Sequence, residues 1–374
     1  MKKAGQEKAV PFVDLAVPTE QVRARYVAAV DRLLAGHNFI LTREVDDFEK
    51  AWARAVGARW AVGVSSGSDA LYLALRALDV GAGDEVITQG NAYNASVVAI
   101  MRAGAVPRFA DIDPATWRMD PSLIESLITA RTKAIMPVHL FGQPCDMASV
   151  MKIARRYKLR VVEDCAQSHG AAFGGHVSGA WGDIGAFSFY PTKNLGAFGD
   201  AGALTTDDPG LYARLKILRN LGQDGKDNHV EYGSNMRLDA MQALALNLKL
   251  KYLPAATRAR AAAAARYDRL IAHIRPPVIP AGRDARATHA HHLYPVLAAP
   301  GARDAVRAFL ADNGIQTGVH YPVPVYRQPF FSMPHDPCPV TDDVVSRIFS
   351  LPFYHGIAPG DQTYVIETLK KFIR

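Results

Sequence analysis

The sequence predicts an α/β protein with a large domain, built on a mostly parallel seven-stranded sheet flanked by helices, and a smaller α+β domain. Between Trp60 and Thr205, short apolar segments of strand length alternate with segments of helical periodicity. This alternation is typical of a parallel sheet with helices on both faces. The chain has 374 residues, which exceeds the size at which a single core stops growing. We therefore expect two domains, residues 1–253 and 254–374.

The elements follow in order from apolar periodicity and from the residues that begin or end helices. A helix begins at Pro18-Thr19-Glu20 and ends at Gly36, and a second helix begins near Arg43. The predicted strands are Trp60–Val64, Glu85–Thr88, Arg108–Asp111, Lys133–Val138, Arg160–Glu163, Ile184–Ser188 and Gly202–Thr205. The predicted helices between them include Ala70–Leu78, Ala95–Ala103, Pro121–Ile128 and Met147–Tyr157. An alanine- and arginine-rich helix, Ala255–Leu270, begins the smaller domain.

Composition narrows the class of protein and of partner. Hydrophobic residues make up 49% and charged residues 21% of the chain, which is typical of a globular enzyme. The net charge of +7 suits an anionic partner, such as a phosphorylated cofactor or a nucleotide-linked substrate, and a contribution to solubility alone explains it equally well. The lysines and arginines are dispersed and form no basic run interleaved with aromatic residues, which disfavours nucleic acid as a partner.

The cysteines and the amino terminus indicate the compartment. Cys145, Cys165 and Cys338 are widely spaced, so we expect buried free thiols in a reducing compartment and neither a disulfide framework nor a zinc site. Met1–Pro11 lacks the apolar core of a secretory signal, and no apolar run approaches membrane-spanning length. We expect a cytoplasmic protein without a membrane partner.

The segment Ser188–Gly202 places one lysine, Lys193, among apolar, aromatic and glycine residues directly after a predicted strand. Such surroundings disfavour the ammonium form, so the pKa falls and the free amine becomes a nucleophile. A nucleophilic lysine can form a Schiff base with an aldehyde such as pyridoxal phosphate. A lysine that extends to solvent from a buried strand end explains the segment equally well, so this segment alone leaves both interpretations open.

A turn of small residues, Ser65–Ala70, lies between a predicted strand and a predicted helix. Backbone N–H groups and hydroxyls at a helix N-terminus can bind a phosphate. An ordinary serine or aspartate N-cap also explains the turn, and for this turn alone the N-cap is the favoured interpretation.

Polar and aromatic residues follow two other predicted strands at the edge where α/β sheets bind ligands. Asp164 ends one strand and can pair with a pyridinium N–H, and Gln167 is within reach of the same ring. A carboxylate that caps the next turn is the alternative for Asp164. Tyr93 can stack on a flat heterocycle, although core packing is the commoner role of a tyrosine. The 29 residues between Asp164 and Lys193 accommodate one chain reversal and one strand, so both side chains can face one cavity.

Together and in this order, these segments resemble the DegT/DnrJ-like family of PLP-dependent sugar-nucleotide aminotransferases, which share the fold type I architecture of aspartate aminotransferase. The likeness extends from Phe12-Val13-Asp14-Leu15 almost to the C-terminus. It includes the segments Gly83–Ile87, Phe141–Gln143, Gly233–Asp239, Gly314–Pro322 and Ser350–Tyr354.

The resemblance implies a role for each matching residue around the cofactor ring. Lys193 is the lysine that holds the cofactor and the base that moves protons during the 1,3-shift. Asp164 pairs with the pyridine nitrogen, Gln167 lies near the ring hydroxyl, and Tyr93 stacks on the ring. One branch of the family has histidine in place of the lysine and performs dehydration, and Lys193 argues against that branch.

The resemblance also implies phosphate ligands, substrate contacts and an assembly. Gly67, Ser68 and Ser188 match the phosphate cup, and Asn235 matches a residue that reaches the phosphate from a neighbouring subunit. The implied assembly is a homodimer, or a larger oligomer, with shared active sites. His320 and Tyr321 match a segment near the substrate.

Three positions depart from the family pattern. Ser68 stands where threonine is frequent, Thr192 where glycine or serine is frequent, and Thr42 where glycine is common. Thr42 requires a backbone conformation that tolerates a side chain. None of these departures removes a chemical group that the mechanism requires.

By this resemblance, the protein transfers an amino group from L-glutamate to a nucleoside-diphosphate-linked keto-6-deoxyhexose. The residues Asn91–Tyr93 and Gln167–Gly170 look most like members that aminate carbon 3. Amination at carbon 4 and amination of a keto-cyclitol are the alternatives, followed by a non-catalytic PLP-binding regulator.

Two other segments suggest other kinds of site. A nicotinamide-dependent dehydrogenase is set aside because Gly196–Gly202 lacks the glycine spacing of a dinucleotide-binding turn. The histidines His289, His291 and His292 suggest a metal site, but no further ligands are identifiable. We interpret them as exposed histidines on a strand and expect no bound metal.

Overall fold

Seven strands form the central sheet of the computed structural model, which describes residues 8–274 and 278–373. The strands are β1 (Trp60–Val64), β2 (Glu85–Gln89), β3 (Val106–Ala110), β4 (Thr132–Ile135), β5 (Arg160–Asp164), β6 (Ile184–Ser188) and β7 (Gly202–Thr206). Their spatial order is β1-β7-β6-β5-β4-β2-β3. Only β7 runs antiparallel to its neighbours β1 and β6, and the other pairs are parallel. The predicted α/β class and all seven predicted strands are confirmed, with small differences at the strand ends.

Helices cover both faces of this sheet. Those before residue 251 are α1 (Ala16–Glu20), α2 (Arg23–Gly36), α3 (Arg43–Val56), α4 (Gly67–Ala77), α5 (Asn94–Arg102), α6 (Ile124–Leu127), α7 (Met147–Tyr157), α8 (Pro209–Leu218) and α9 (Ala240–Leu250). The single helix expected to begin at Pro18 is two helices, because the chain turns at Val22, whose side chain is buried. The helix expected at 121–128 is a 3-10 turn, Pro121–Leu123, followed by α6.

Alternation along the strands explains the two helical layers. Val62, Val86 and Val162 belong to one buried cluster, which packs against α4, α5 and α8. Their neighbours Ala61 and Val161 point to the opposite face, where α3, α9 and α7 pack. Because successive side chains of a strand point to opposite faces, apolar residues at every position produce a sheet that is buried on both sides.

The carboxyl-terminal region has its own sheet and its own helices. Its strands β8 (Ile279–Pro280), β9 (Tyr294–Leu297) and β10 (Ile348–Leu351) pair antiparallel in that order. Its helices are α10 (Leu253–Ile271), α11 (Arg303–Asp312), α12 (Pro339–Arg347) and α13 (Pro359–Ile373). The predicted boundary between residues 253 and 254 falls at the start of α10, and the two-domain division stays a prediction.

Several smaller expectations concern single residues. Cys145, Cys165 and Cys338 are buried free thiols, as expected. Thr42 has a φ of −85°, which tolerates a side chain. Residues 1–7 lie outside the described part of the chain, and most of the segment interpreted as lacking a secretory signal, Met1–Pro11, falls there. Within the described part, no helix combines the length and the apolar character needed to cross a lipid bilayer.

Candidate active site

One cavity of about 480 Å³ lies where the carboxyl ends of the parallel strands meet the N-terminus of α4. This is the edge at which open α/β sheets bind ligands. The cavity brings together nine of the ten residues predicted from the sequence. They are Gly67, Ser68, Tyr93, Asp164, Gln167, Ser188, Lys193, His320 and Tyr321.

Lys193 follows β6 in a loop whose first turn is closed by the Lys193 N–H, which donates to the Tyr190 carbonyl at 2.8 Å. Its side chain is half-buried and lines the cavity. Burial lowers the pKa of Lys193 to about 8, although the nearby Asp164 carboxylate acts in the opposite direction. A free amine is therefore accessible near neutral pH, as a nucleophile requires.

Asp164 ends β5 and is 5% exposed, at the cavity. Its Oδ2 accepts a hydrogen bond from Ser96 Oγ at 2.7 Å, and its Oδ1 accepts one from the Ala166 N–H at 3.0 Å. These two bonds orient the carboxylate and leave lone pairs for a ring N–H in the cavity. The predicted alternative, a cap of the next turn, is also present in the Ala166 bond, so the two interpretations of Asp164 are compatible.

Ser96 was not singled out from the sequence. It is fully buried in the first turn of α5, on the helix that follows β2. A serine in that turn ordinarily suggests a local bond to the helix backbone. Only the packing of α5 against the sheet brings its hydroxyl to a carboxylate 68 residues away.

A buried hydrogen-bond network supports the end of β5 from the other face. Glu163 Oε2 lies 3.0 Å from His139 Nε2, and the Cys145 N–H donates to His139 Nδ1 at 3.1 Å. Because Nδ1 accepts a bond, Nε2 carries the proton and donates to Glu163. The His139 N–H also donates to the Asp164 carbonyl at 3.0 Å. The network thereby fixes the backbone that carries Asp164.

The carboxylate of Glu163 is saturated with hydrogen-bond donors, two on each oxygen. Besides His139, it accepts the N–H groups of Gly179, Trp181 and Gly182 at 2.8 to 2.9 Å. Burial acts to raise the pKa of Glu163, but the hydrogen bonds outweigh it and lower that pKa. Glu163, His139 and Cys165 offer ligand atoms within 4.8 Å of one another, yet both nitrogens of His139 are already engaged.

The N-terminus of α4 forms the opposite end of the cavity. Ser66 is its N-cap, since Ser66 Oγ accepts the Asp69 N–H at 3.1 Å, so the N-cap interpretation is confirmed. The N–H groups of Gly67 and Ser68 have no intrahelical partner at these positions. A Cβ on Gly67 would lie 2.5 Å from Ser188 Cβ, so only glycine allows β6 to approach this closely. Two backbone donors and the hydroxyls of Ser68 and Ser188 therefore converge, in the arrangement that binds a phosphate.

The remaining wall is aromatic and amide-bearing. Gln167 accepts the Phe141 N–H at 2.6 Å and donates through Nε2 to the Tyr321 hydroxyl at 3.0 Å. The rings of Tyr93 and Tyr321 lie 5.3 Å apart, centroid to centroid. Tyr93 is 59% exposed, so the alternative of core packing is wrong for this tyrosine. Its ring is free to cover a flat heterocycle in the cavity.

Two histidines line the side of the cavity near Lys193. His320 Nδ1 lies 3.1 Å from Ser350 Oγ, and burial lowers the pKa of His320 to about 4. His292 Nδ1 lies 3.1 Å from Asn194 Oδ1. Burial, reinforced by the positive charges of Lys193 and Arg260, places the pKa of His292 well below its usual value. Both imidazoles are therefore neutral near pH 7.

The expectation of exposed histidines on a strand between 289 and 292 is wrong in both respects, because these residues belong to no strand and are largely buried. His291 and His292 are buried, and His289 is half-buried with its ring stacked on that of His291 at 4.0 Å. The segment that carries them passes under the Lys193 loop, where Asn194 Nδ2 donates to the Ala290 carbonyl at 2.7 Å. Tertiary packing therefore buries a segment that looks polar in sequence.

Asn235 is the one predicted site residue that does not line this cavity. It is exposed, and it pairs with Asn220 through an isolated antiparallel bridge. The prediction that it serves the active site of a neighbouring subunit stays a prediction.

The cavity fits pyridoxal phosphate on three separate observations. A lysine of lowered pKa matches the aldehyde, and an oriented carboxylate with free lone pairs matches the ring nitrogen. The contact between Gly67 and Ser188 forms a cradle for the phosphate that any Cβ would fill. All of these groups line the same cavity.

Comparison with known proteins agrees with this geometry. The model of the DegT/DnrJ/EryC1/StrS aminotransferase family matches residues 20–370. The chain belongs to this family. Like its relatives in the DegT/DnrJ family, it is a PLP-dependent sugar-nucleotide aminotransferase with the corresponding α/β fold.

Two curated members of the family and one solved structure are similar over almost their whole length. The dTDP-3-amino-3,6-dideoxy-alpha-D-galactopyranose transaminase of Aneurinibacillus thermoaerophilus is 42% identical over 366 residues, which are 97% of this chain and 99% of the relative. The dTDP-3-amino-3,4,6-trideoxy-alpha-D-glucose transaminase of Streptomyces venezuelae is 39% identical, over 100% of this chain and 98% of the relative. The crystal structure of S. venezuelae DesV in complex with a ketimine intermediate superposes with a TM-score of 0.94 at 39% identity. It covers 98% of this chain and 99% of DesV.

Proposed function

We propose that this aminotransferase moves the amino group of L-glutamate to carbon 3 of a nucleoside-diphosphate-linked 3-keto-6-deoxyhexose. The observation that carries the proposal is a single cavity that is lined by Lys193, by Asp164 and by the residues of the phosphate cradle. The names of the two curated relatives, both transaminases of 3-amino sugars, support carbon 3. When bound, pyridoxal phosphate supplies the electron sink and carries the amino group between the two substrates.

In this proposal, Lys193 and Asp164 have complementary roles. Lys193 acts as the base that takes and returns the proton during the 1,3-shift, which a pKa of about 8 suits near neutral pH. Asp164, fixed by Ser96 and the Ala166 N–H, keeps the ring nitrogen protonated.

The other predicted residues bind and orient the cofactor and the sugar. Gly67, Ser68 and Ser188 hold the phosphate with backbone N–H groups and hydroxyls. Gln167, fixed by Phe141 and Tyr321, is oriented toward the ring hydroxyl. Tyr93 covers the ring, and His320 and Tyr321 contact the sugar from the carboxyl-terminal region.

We further propose a homodimer whose two active sites are shared. Large apolar side chains are exposed in the described part of the chain, on α2, after it, and around residue 232. They are Val27, Leu34, Phe39, Ile40, Leu41, Val230 and Tyr232. Asn235 lies exposed in the same part of the sequence as Tyr232, which suits a residue that completes a neighbour's phosphate site. Exposed apolar side chains in this number favour burial against a second copy.

A panel of keto-sugar nucleotides with L-glutamate as the donor tests the proposal. Paired 3-keto and 4-keto dTDP-6-deoxyhexoses are incubated with the holoenzyme, and the products are analysed by NMR. Amination of the 3-keto substrate alone supports carbon 3, and amination of the 4-keto substrate alone replaces it by carbon 4. If glutamate does not convert the bound cofactor to its amine form in the absence of sugar, the donor assignment is wrong.

A Lys193→Ala variant separates an enzyme from a regulator. The variant should form no borohydride-trapped adduct with pyridoxal phosphate and should lose turnover. A protein that kept its biological effect after this change would be acting without amino transfer.

A further inference from the structure

A second cavity of about 320 Å³ adjoins the first at Lys193. The two cavities share the side chains of Thr192, Lys193, His292 and His320. The second cavity is otherwise enclosed by the loop after Lys193, the amino-terminal segment 12–21, the junction of α9 and α10, and residues 353–355. It therefore extends the active site beneath the Lys193 loop, away from the phosphate cradle.

The second cavity is positively charged. Besides Lys193, which holds the cofactor in the proposed function, its lining includes two cationic side chains, those of Lys249 and Arg260, and one carboxylate, that of Asp14. Asp14 Oδ1 is occupied by the Ala16 N–H at 2.7 Å. Lys249 and Arg260 are 9% and 7% exposed, and neither forms an ion pair within residues 8–274 and 278–373. Two buried cations without a counter-ion are costly, because buried charges are normally paired.

Each of these cations uses only part of its hydrogen-bonding capacity on the protein. Lys249 Nζ donates to the Gly196 carbonyl at 2.8 Å and lies 3.8 Å from the centroid of the Phe198 ring. Arg260 donates through Nη1 to the carbonyls of His291 and His292 at 3.1 and 3.3 Å. An ammonium has three donors and a guanidinium five. Among the described residues, Nε and Nη2 of Arg260 have no acceptor.

We propose that the second cavity is a carboxylate-binding chamber, in which Lys249 and Arg260 hold the distal carboxylate of a dicarboxylic amino donor. The assignment rests on the proposed amino transfer from glutamate and names the residues that recognise that donor. A guanidinium and an ammonium match a carboxylate in charge and in donor geometry. The cavity volume is at the lower end for small-molecule sites, which suits a five-carbon dicarboxylate better than a nucleotide-linked sugar.

The position of the chamber agrees with this occupant. A dicarboxylate held by Lys249 and Arg260 would extend toward Lys193, which lines both cavities. Its amino end could then reach the reacting centre, while its far end stayed at the cations. The sugar substrate would keep the first cavity and its contact with His320 and Tyr321.

Calorimetric titration of the holoenzyme with glutarate tests the chamber. Glutarate has the two carboxylates of glutamate and no amino group, so it binds without amino transfer. Lys249→Met should weaken glutarate binding by about tenfold or more, since one charged hydrogen bond is lost. Lys251→Met is the matched control, because Lys251 is exposed two residues further along, and it should leave the affinity unchanged.

Arg260 is tested by Arg260→Lys, which keeps one donor for the histidine carbonyls and so preserves the fold. It should weaken glutarate binding by several-fold, whereas Arg258→Lys at the exposed neighbouring position should not. Glutarate affinity that is unchanged in both Lys249→Met and Arg260→Lys would overturn the proposal and leave the two cations with a structural role.

A second probe separates a carboxylate site from a phosphate site. Pyrophosphate, which carries the charge of a nucleotide's diphosphate, should bind equally well to the parent enzyme and to Lys249→Met. Loss of pyrophosphate binding with intact glutarate binding would overturn the assignment to a carboxylate. Because glutarate binding requires no turnover, the chamber and the glutamate assignment can fail separately. If Lys249→Met weakens glutarate binding but the enzyme does not use glutamate, the chamber is a dicarboxylate site for another donor.

Discussion

Glu163 and Asp164 are consecutive on β5, yet their carboxylates lie on opposite faces of the sheet and in different surroundings. Glu163 accepts four hydrogen bonds from His139 and three backbone N–H groups and is fully buried. Asp164 accepts two and borders the cavity. Saturation with donors therefore distinguishes a structural carboxylate from a functional one. The saturated carboxylate has no lone pair left for a ligand, and the other does.

The largest expected effect comes from Asp164→Asn, which removes the charge on the functional side of the comparison. Turnover should fall by about 100- to 10,000-fold, the range for loss of a group that controls a proton. The thermal unfolding midpoint should change little, because the amide oxygen can accept from the Ala166 N–H while the Ser96 hydroxyl turns to accept from the amide nitrogen. Steady-state kinetics and differential scanning calorimetry measure the two quantities. If Asp164→Asn lost much stability but kept its turnover, Asp164 would be a structural carboxylate and not a functional one.

Glu163→Gln is the matched change on the structural side. It turns one acceptor into a donor that faces backbone N–H groups, so unfolding free energy should fall by about 3 kcal/mol. Urea denaturation measures this loss. The exposed Glu125, which pairs with Arg156 at the surface, is the control, and Glu125→Gln should cost less than about 1 kcal/mol. Equal losses of unfolding free energy for Glu163→Gln and Glu125→Gln would show that the buried network adds no stability.

The pH dependence of cofactor attachment tests the effect of Asp164 on the pKa of Lys193. Burial lowers the pKa of Lys193 to about 8 and Asp164 opposes that shift, so the free amine becomes tenfold rarer per pH unit below about 8. The rate at which the apoprotein reacts with pyridoxal phosphate, followed by absorbance, should rise with pH and level off above about 8. His169, His292 and His320 stay neutral over this range because burial lowers their pKa values.

Asp164→Asn is also the control for this profile. Without the carboxylate, the pKa of Lys193 should fall further, and the plateau should begin at a lower pH. A midpoint near the ordinary lysine value, in either protein, would contradict the burial of Lys193.

The smallest effect is expected for Ser96→Ala, which removes one of the two bonds that orient Asp164. Affinity for pyridoxal phosphate should weaken by about three- to tenfold, the equivalent of one hydrogen bond, as measured by equilibrium dialysis. Ser96→Thr keeps a hydroxyl and should restore part of the loss. Ser126→Ala, at an exposed helical serine, should leave the affinity unchanged. No change for Ser96→Ala would mean that the Ala166 N–H alone positions the carboxylate.

Local patterns predict the strands and mark candidate site residues, because each strand and each candidate lies within one short segment. The seven strands are apolar runs bounded by turns, and the site residues follow the strands at their carboxyl ends. Recognition of Lys193 and Asp164 required one family pattern spread over the chain. Exact helix ends, such as the turn at Val22, depend on packing and were predicted less well.

What the sequence did not predict depends on contacts between distant segments. His139 and Glu163 are 24 residues apart, and Ser96 and Asp164 are 68 apart. The polar-looking histidines near 291 become buried only when they pass beneath the Lys193 loop. Lys249 and Arg260 occupy ordinary helical positions, and only the fold turns both toward one cavity.

The amino-terminal segment has a practical consequence for anyone who handles this protein. Val10 is fully buried against the carboxyl-terminal region, where its N–H donates to the Gly314 carbonyl and its own carbonyl accepts the Gln316 N–H. Phe12, two residues later, stacks against His320 and lines the second cavity. Clipping by a protease at this segment, or a bulky affinity tag fused directly before it, would loosen a wall of the second cavity.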